Sequence, residues 1–197
     1  MTPVGRDGME LLEQHRRAMA EFDRRVRAVA PDQWHRDTPC EGWDVRALVN
    51  HVVVEQLWVP HYLAGAVAEE LKERYAGDQL GDDPVAVWAE AAAAARAALV
   101  APGVLDRTIR MSTGERRVAD HVPLLVIDLA IHAWDLARAV GLDEALDGEL
   151  VEALHRTWAP RVDELVATGL FAPPVEVGDD ADTQTRLLAI HGRDARR

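Results

Sequence analysis

One stretch, Leu124 to Val140, reading LLVIDLAIHAWDLARAV, constrains the fold most, because it sets ionisable groups inside an otherwise apolar helix. At about 100° per residue, Asp128, His132 and Asp135 fall within a narrow arc, with Leu124, Leu125 and Ala139 beside them. The opposite face carries Val126, Ala130, Ala133 and Ala137. A helix that is apolar nearly all round is a buried helix, and an unpaired carboxylate inside one costs on the order of several kcal/mol. Two arrangements would offset that cost. An Asp and a His four residues apart can turn an oxygen and a nitrogen onto one cation, or they can hydrogen-bond to each other in the core. The helix alone leaves both open.

The remaining chain supplies partners for such a helix. Leu12, Met19, Phe22, Val26 and Val29 recur at helical spacing over about 7–29, and His15 within them reads as a partly exposed surface histidine. Pro31 breaks the pattern, and the turn-rich stretch to Asp44 holds Trp34 and Trp43, read as packing onto a bundle, and Cys40, read first as a packed small residue, with a ligand or a nucleophile as the alternatives. Asp44 is a suitable N-cap for a second helix whose apolar stripe is Val45, Leu48, Val49, Val52 and Val53. His51 and Glu55 flank that stripe, and Pro60 is expected to kink or break the helix. Asp83 followed by Pro84 starts a third helix to about Val100. Residues 105–118 read as an irregular loop or a short hairpin. Asp120 is the expected cap of the central helix, Pro123 sits in its first turn, and Gly141 ends it. Asp147 opens a further helix, bent at Pro160 and ended by Gly169, and a short helix over about 182–191 follows an extended Pro-Pro segment. The expected fold is all-α, a four-helix bundle with extra short helices in one domain over 1–197.

Composition excludes several function classes. The 34 acidic residues against 22 basic give a net charge of −12, which argues against nucleic acid, since phosphate binding needs a basic face. No apolar run approaches a membrane span and the N-terminus has no signal-peptide pattern, so a cytoplasmic protein is expected. The lone Cys40 allows neither an internal disulfide nor a CxxC zinc site. GxGxxG, GxxxxGK[ST], GxSxG and HExxH are all absent, and Ser112 is the only serine. What remains is His51 with Asp128 and His132, two nitrogens and an oxygen, the donor set of an open divalent-metal site.

TPCEGWDVRALVNHVV, then IHAWDLARAVG about eighty residues on, then FAPPVEVGDDADTQTRLLAIHGRD, resemble the actinobacterial DinB-like metal-binding family related to the mycothiol-dependent maleylpyruvate isomerase N-terminal domain. That resemblance implies a DinB-like four-helix bundle with a divalent metal, zinc first and nickel as an alternative, on His51, Asp128 and His132. Asp128 stands where the family more often has Glu, which leaves Glu55 as a substitute carboxylate. The implied chemistry is activation of a low-molecular-weight thiol such as mycothiol, for S-transfer to or isomerisation of an electrophilic small molecule. Asp135 would orient a ligand imidazole, and Arg138 would pair with Asp135, reach a substrate carboxylate, or simply complement the helix dipole. The isomerase has a further C-terminal domain with no counterpart in these 197 residues, so its particular reaction is not implied. A non-catalytic metal- or small-molecule-binding bundle, a dimeric interaction module and a metal-assisted hydrolase are the alternatives. A homodimer is compatible with the sequence, although no feature demands it.

Overall fold

The computed structural model describes residues 6–112, 114–169 and 171–196. Contacts divide the chain into two compact units, Met1–Asp143 and Glu144–Arg197. The first holds α1 (Arg6–Val26), α2 (Val45–Leu63), the short α3 (Ala68–Arg74), α4 (Pro84–Leu99) and α5 (Val118–Val140), with a two-stranded antiparallel hairpin, β1 (Thr108–Met111) and β2 (Gly114–Arg117), before α5. The second holds α6 (Gly148–Trp158), α7 (Val162–Thr168) and α8 (Thr183–Ile190). Within the first unit α1 packs chiefly on α5 and α2 on α4, while α2 and α5 close the bundle.

Local chemistry explains most boundaries. Asp44 caps α2, its Oδ1 accepting from the backbone N–H of Ala47 at 2.8 Å, and Asp83 and Asp147 do the same for α4 and α6. Gly141 ends α5 at φ 75°, a left-handed conformation that costs other residues more. In the second unit Pro160 breaks the helix, a 3-10 turn over Ala159–Arg161 separating α6 from α7. Asp182 caps α8, which packs back on α6.

Three expectations are corrected. Helix α2 runs through Pro60 to Leu63, because the proline falls in the last turn, where only one backbone bond is lost before the chain turns at Gly65. Helix α5 begins at Val118 rather than after Asp120, so Asp120 lies in the first turn and Pro123 in the second. The hairpin sets that start: Val118 N–H bonds the Arg107 carbonyl at 2.9 Å, so β2 feeds directly into the helix. His15 is 2% exposed, not a surface group. It occupies the heptad position between Leu12 and Met19 on the inward face of α1. Among the described residues, no helix is long and apolar enough to cross a membrane.

Candidate metal centre

Helices α2 and α5 run antiparallel, since His51 early in α2 meets the second half of α5 while Tyr62 at the end of α2 meets His121 at its beginning. With their main apolar faces packed elsewhere, α2 on α4 and α5 on α1, the two helices meet along one seam. At its centre His51 Nε2 lies 3.3 Å from one Asp128 oxygen and 3.5 Å from the other. His132 Nε2 lies 3.4 Å from Asp128 Oδ1, and the two imidazole centroids are 5.1 Å apart, nearly perpendicular. The sequence's three candidate ligands are thus brought to one point, and Glu55 stands outside the three-donor cluster.

These spacings discriminate between the two readings of the helix. Charge-assisted N–H···O⁻ bonds close to about 2.7–2.9 Å, and the three separations here are longer. Donors around a shared tetrahedral cation at about 2.1 Å stand roughly 3.4 Å from one another. Burial pushes the Asp128 carboxyl up, but the facing His132 and His51 rings outweigh it and hold the group below its ordinary range. Burial likewise opposes charge on His132, yet Asp128, with Asp135 and Cys40 behind, raises its pKa well above the usual value. Glu55 is pushed up to about 7 by burial and by the Asp128 charge, with His51 and His132 pulling against. The centre is therefore a part-buried cluster whose charges offset one another, with the side chains of His132, Asp128 and His51 exposed by 7%, 23% and 30%.

Behind His132 the arrangement is a hydrogen-bonded one. His132 Nδ1–H donates to Asp135 Oδ2 at 3.0 Å, and Asp135 is fully buried. The Cys40 thiol donates to the same oxygen at 3.1 Å and lies 3.7 Å from His132 Nδ1. Cys40 is held there by its loop. Its N–H bonds Thr38 Oγ1 at 3.1 Å, Thr38 Oγ1–H bonds the Trp43 carbonyl at 2.9 Å, and Gly42 turns the chain at φ 79°. Trp43, half-buried on that loop, has its ring 4.9 Å from His51 and 5.8 Å from His132. Sequence reasoning read both residues as packing; only their place immediately before the His51 helix hinted otherwise. The Arg138 guanidinium sits 4.2 Å over the Trp134 ring, about 120° around α5 from His132.

The model of the mycothiol maleylpyruvate isomerase N-terminal domain matches residues 15–137, which span α1 through most of α5 and include the whole cluster. The chain belongs to this family. The uncharacterized proteins MT0763 and Rv0738, from two strains of Mycobacterium tuberculosis, are each 33% identical over 153 residues, 78% of this chain and 79% of theirs. The crystal structure of the mycothiol-dependent maleylpyruvate isomerase superposes with a TM-score of 0.62 at 18% identity, over 85% of this chain and 73% of that one. A histidine-to-alanine mutant of it gives 0.65 at 16%, over 79% and 69%. These likenesses show the all-α, DinB-like fold for this family member.

Proposed function

We propose that this family member is a divalent-metal-dependent enzyme that activates a low-molecular-weight thiol, mycothiol or a close analogue, for S-transfer to or isomerisation of an electrophilic small molecule. The observation that carries the proposal is the spacing of two imidazole nitrogens and one carboxylate oxygen, too long for charge-assisted hydrogen bonds and suited to a shared cation. The family membership supports the thiol, and the solved structural relatives are a mycothiol-dependent maleylpyruvate isomerase and its mutant. A divalent cation on His51, Asp128 and His132 would supply Lewis acidity, drawing the proton from a coordinating thiol so that its sulfur is nucleophilic near neutral pH.

The chain's own residues do the rest. Asp135 fixes the His132 tautomer with Nδ1–H inward, leaving the Nε2 lone pair towards the seam. Cys40 keeps its S–H proton and donates a hydrogen bond to Asp135, so this thiol serves as a donor rather than as the nucleophile. Trp43 covers both histidines and keeps bulk water from that side of the cluster. For Arg138 we propose the lesser part of bracing Trp134.

Zinc-reconstituted protein should conjugate a general electrophile such as chlorodinitrobenzene only when mycothiol is present. Turnover with metal but no thiol would point to hydrolysis instead, and thiol and metal without turnover to a binding protein. Asp135→Asn should keep the fold and lower zinc affinity about 10–100-fold in chelator competition, the usual effect of losing the group that orients a ligand imidazole. Unchanged affinity would remove Asp135 from the site.

A further inference from the structure

The α2–α5 seam continues past the cluster. On α2, His51, Glu55, Trp58 and Tyr62 lie within an arc of about 60°, and on α5 His132, Asp128, Leu125 and His121 do the same. Antiparallel packing opposes them in that order, ending where the Tyr62 and His121 rings meet edge to face at 5.3 Å. The charges run along the same line, since Glu55 feels Asp128, His51 and His132, and Tyr62 feels Glu55.

The far end of this line is unlike the centre. Tyr62 is 2% and His121 5% exposed, yet Tyr62 Oη, both ring nitrogens of His121 and the indole N–H of Trp58 find no partner within the protein. Buried polar atoms in folded proteins are nearly always paired, so four of them on one seam call for a partner from outside the chain. Burial, with Arg116 adding, holds the His121 pKa down to about 4, so at neutral pH its ring offers one N–H and one lone pair. Burial keeps the Tyr62 hydroxyl protonated. The three side chains are thus uncharged and offer three N–H or O–H donors, with the second His121 nitrogen and the Tyr62 oxygen as acceptors. Such a lining is matched by oxygen acceptors.

We infer that Trp58, Tyr62 and His121 form a subsite for the carbonyl or carboxylate oxygens of the electrophilic substrate, holding it along the seam from the cluster. The electrophilic character of the ligand and its reacting carbon at the cluster rest on the proposed function; the binding of its oxygens needs neither metal nor thiol. From His51 to Tyr62 the axis advances about 16 Å at 1.5 Å per residue, so the ligand is extended, with its oxygens at the end away from the reacting carbon.

Succinate and succinamide test the subsite, because neither has a conjugated double bond for a thiol to attack and they separate carboxylate from neutral carbonyl binding. Each is titrated into the full chain carrying ¹⁵N-labelled histidine, with metal removed by chelation, and the His121 ring resonances are followed in wild type and Tyr62→Phe. Expected is a saturable His121 shift with succinate alone, or with both probes, weakened about tenfold in Tyr62→Phe. The variant should melt no lower than wild type, since it loses a hydroxyl with no bond in the fold. His121 resonances that answer neither probe, or an identical response in Tyr62→Phe, overturn the inference. So does a lower melting point in the variant, which would show the hydroxyl bonded within the fold. A protein that binds succinate here but shows no thiol-dependent turnover keeps the subsite and loses the enzyme reading.

Discussion

Metal-free protein is expected to lose stability between about pH 6.5 and pH 4, by an amount set by three histidines and partly offset by Glu55, whose carboxyl, pushed up to about 7, takes up its proton in the folded chain first. Three histidines are buried and held down to about 4, His15 and His121 in the first unit and His191 in the second. In each case burial is the main cause, and in each case a nearby arginine adds to it. The sign follows from proton counting. Below its ordinary pKa of 6.5 the unfolded chain takes up protons that the folded chain refuses, so stability falls as pH drops and levels off near the folded value. Each group costs on the order of 2–3 kcal/mol over that window, against about 5–15 kcal/mol for a whole domain. His132 works the other way. Its raised pKa gives stability that is complete below 6.5 and lost as pH rises through the folded value, while the lowered Asp128 pKa gives stability lost only in strong acid. Urea melts at pH 7, 5.5 and 4.5 should therefore show a steep fall, and His15→Leu should make it shallower by about one proton. Equal stability at pH 7 and 4.5 would mean that these rings are hydrated or paired when folded.

The second large effect separates the two histidines of the cluster. His132→Ala should destabilise the metal-free fold by about 3–5 kcal/mol, because one imidazole faces the carboxylates of both Asp128 and Asp135 in a buried setting. The His132 side chain is 7% exposed, whereas that of His51 is 30% exposed and faces Asp128 alone among the carboxylates of the cluster. His51→Ala should therefore cost about 1 kcal/mol or less without metal. Both variants should lose metal. Chelator-treated proteins compared by urea midpoint test the asymmetry, and equal costs would show that His132 does not brace the core.

The bundle and the centre of the seam were legible because both rest on periodicity. Asp128 and His132 stand four apart on a helix too apolar to be exposed, so angle brings those two together, whereas His51, at the flank of another helix's stripe, was joined to them by the family resemblance rather than by angle. Cys40 and Trp43 were read as packing because they reach the cluster from a loop, whose path is fixed by the Thr38 hydroxyl and the turn at Gly42 rather than by any repeat. His15 was legible in principle. It occupies a core position of α1, and residue type was allowed to outweigh register. The start of α5 was misplaced for a tertiary reason: the hairpin delivers the chain into the helix, so Asp120 has nothing to cap.

Metal content per chain tests the central proposal most directly. Tag-free protein, exposed to zinc and freed of excess, would be measured by elemental mass spectrometry beside His51→Ala, the variant expected to stay folded. Near-stoichiometric zinc in wild type and almost none in His51→Ala is the predicted result. Wild type that stays empty after exposure to zinc, nickel, iron and manganese would contradict it, and would leave His51, Asp128 and His132 as a part-buried ion-paired cluster.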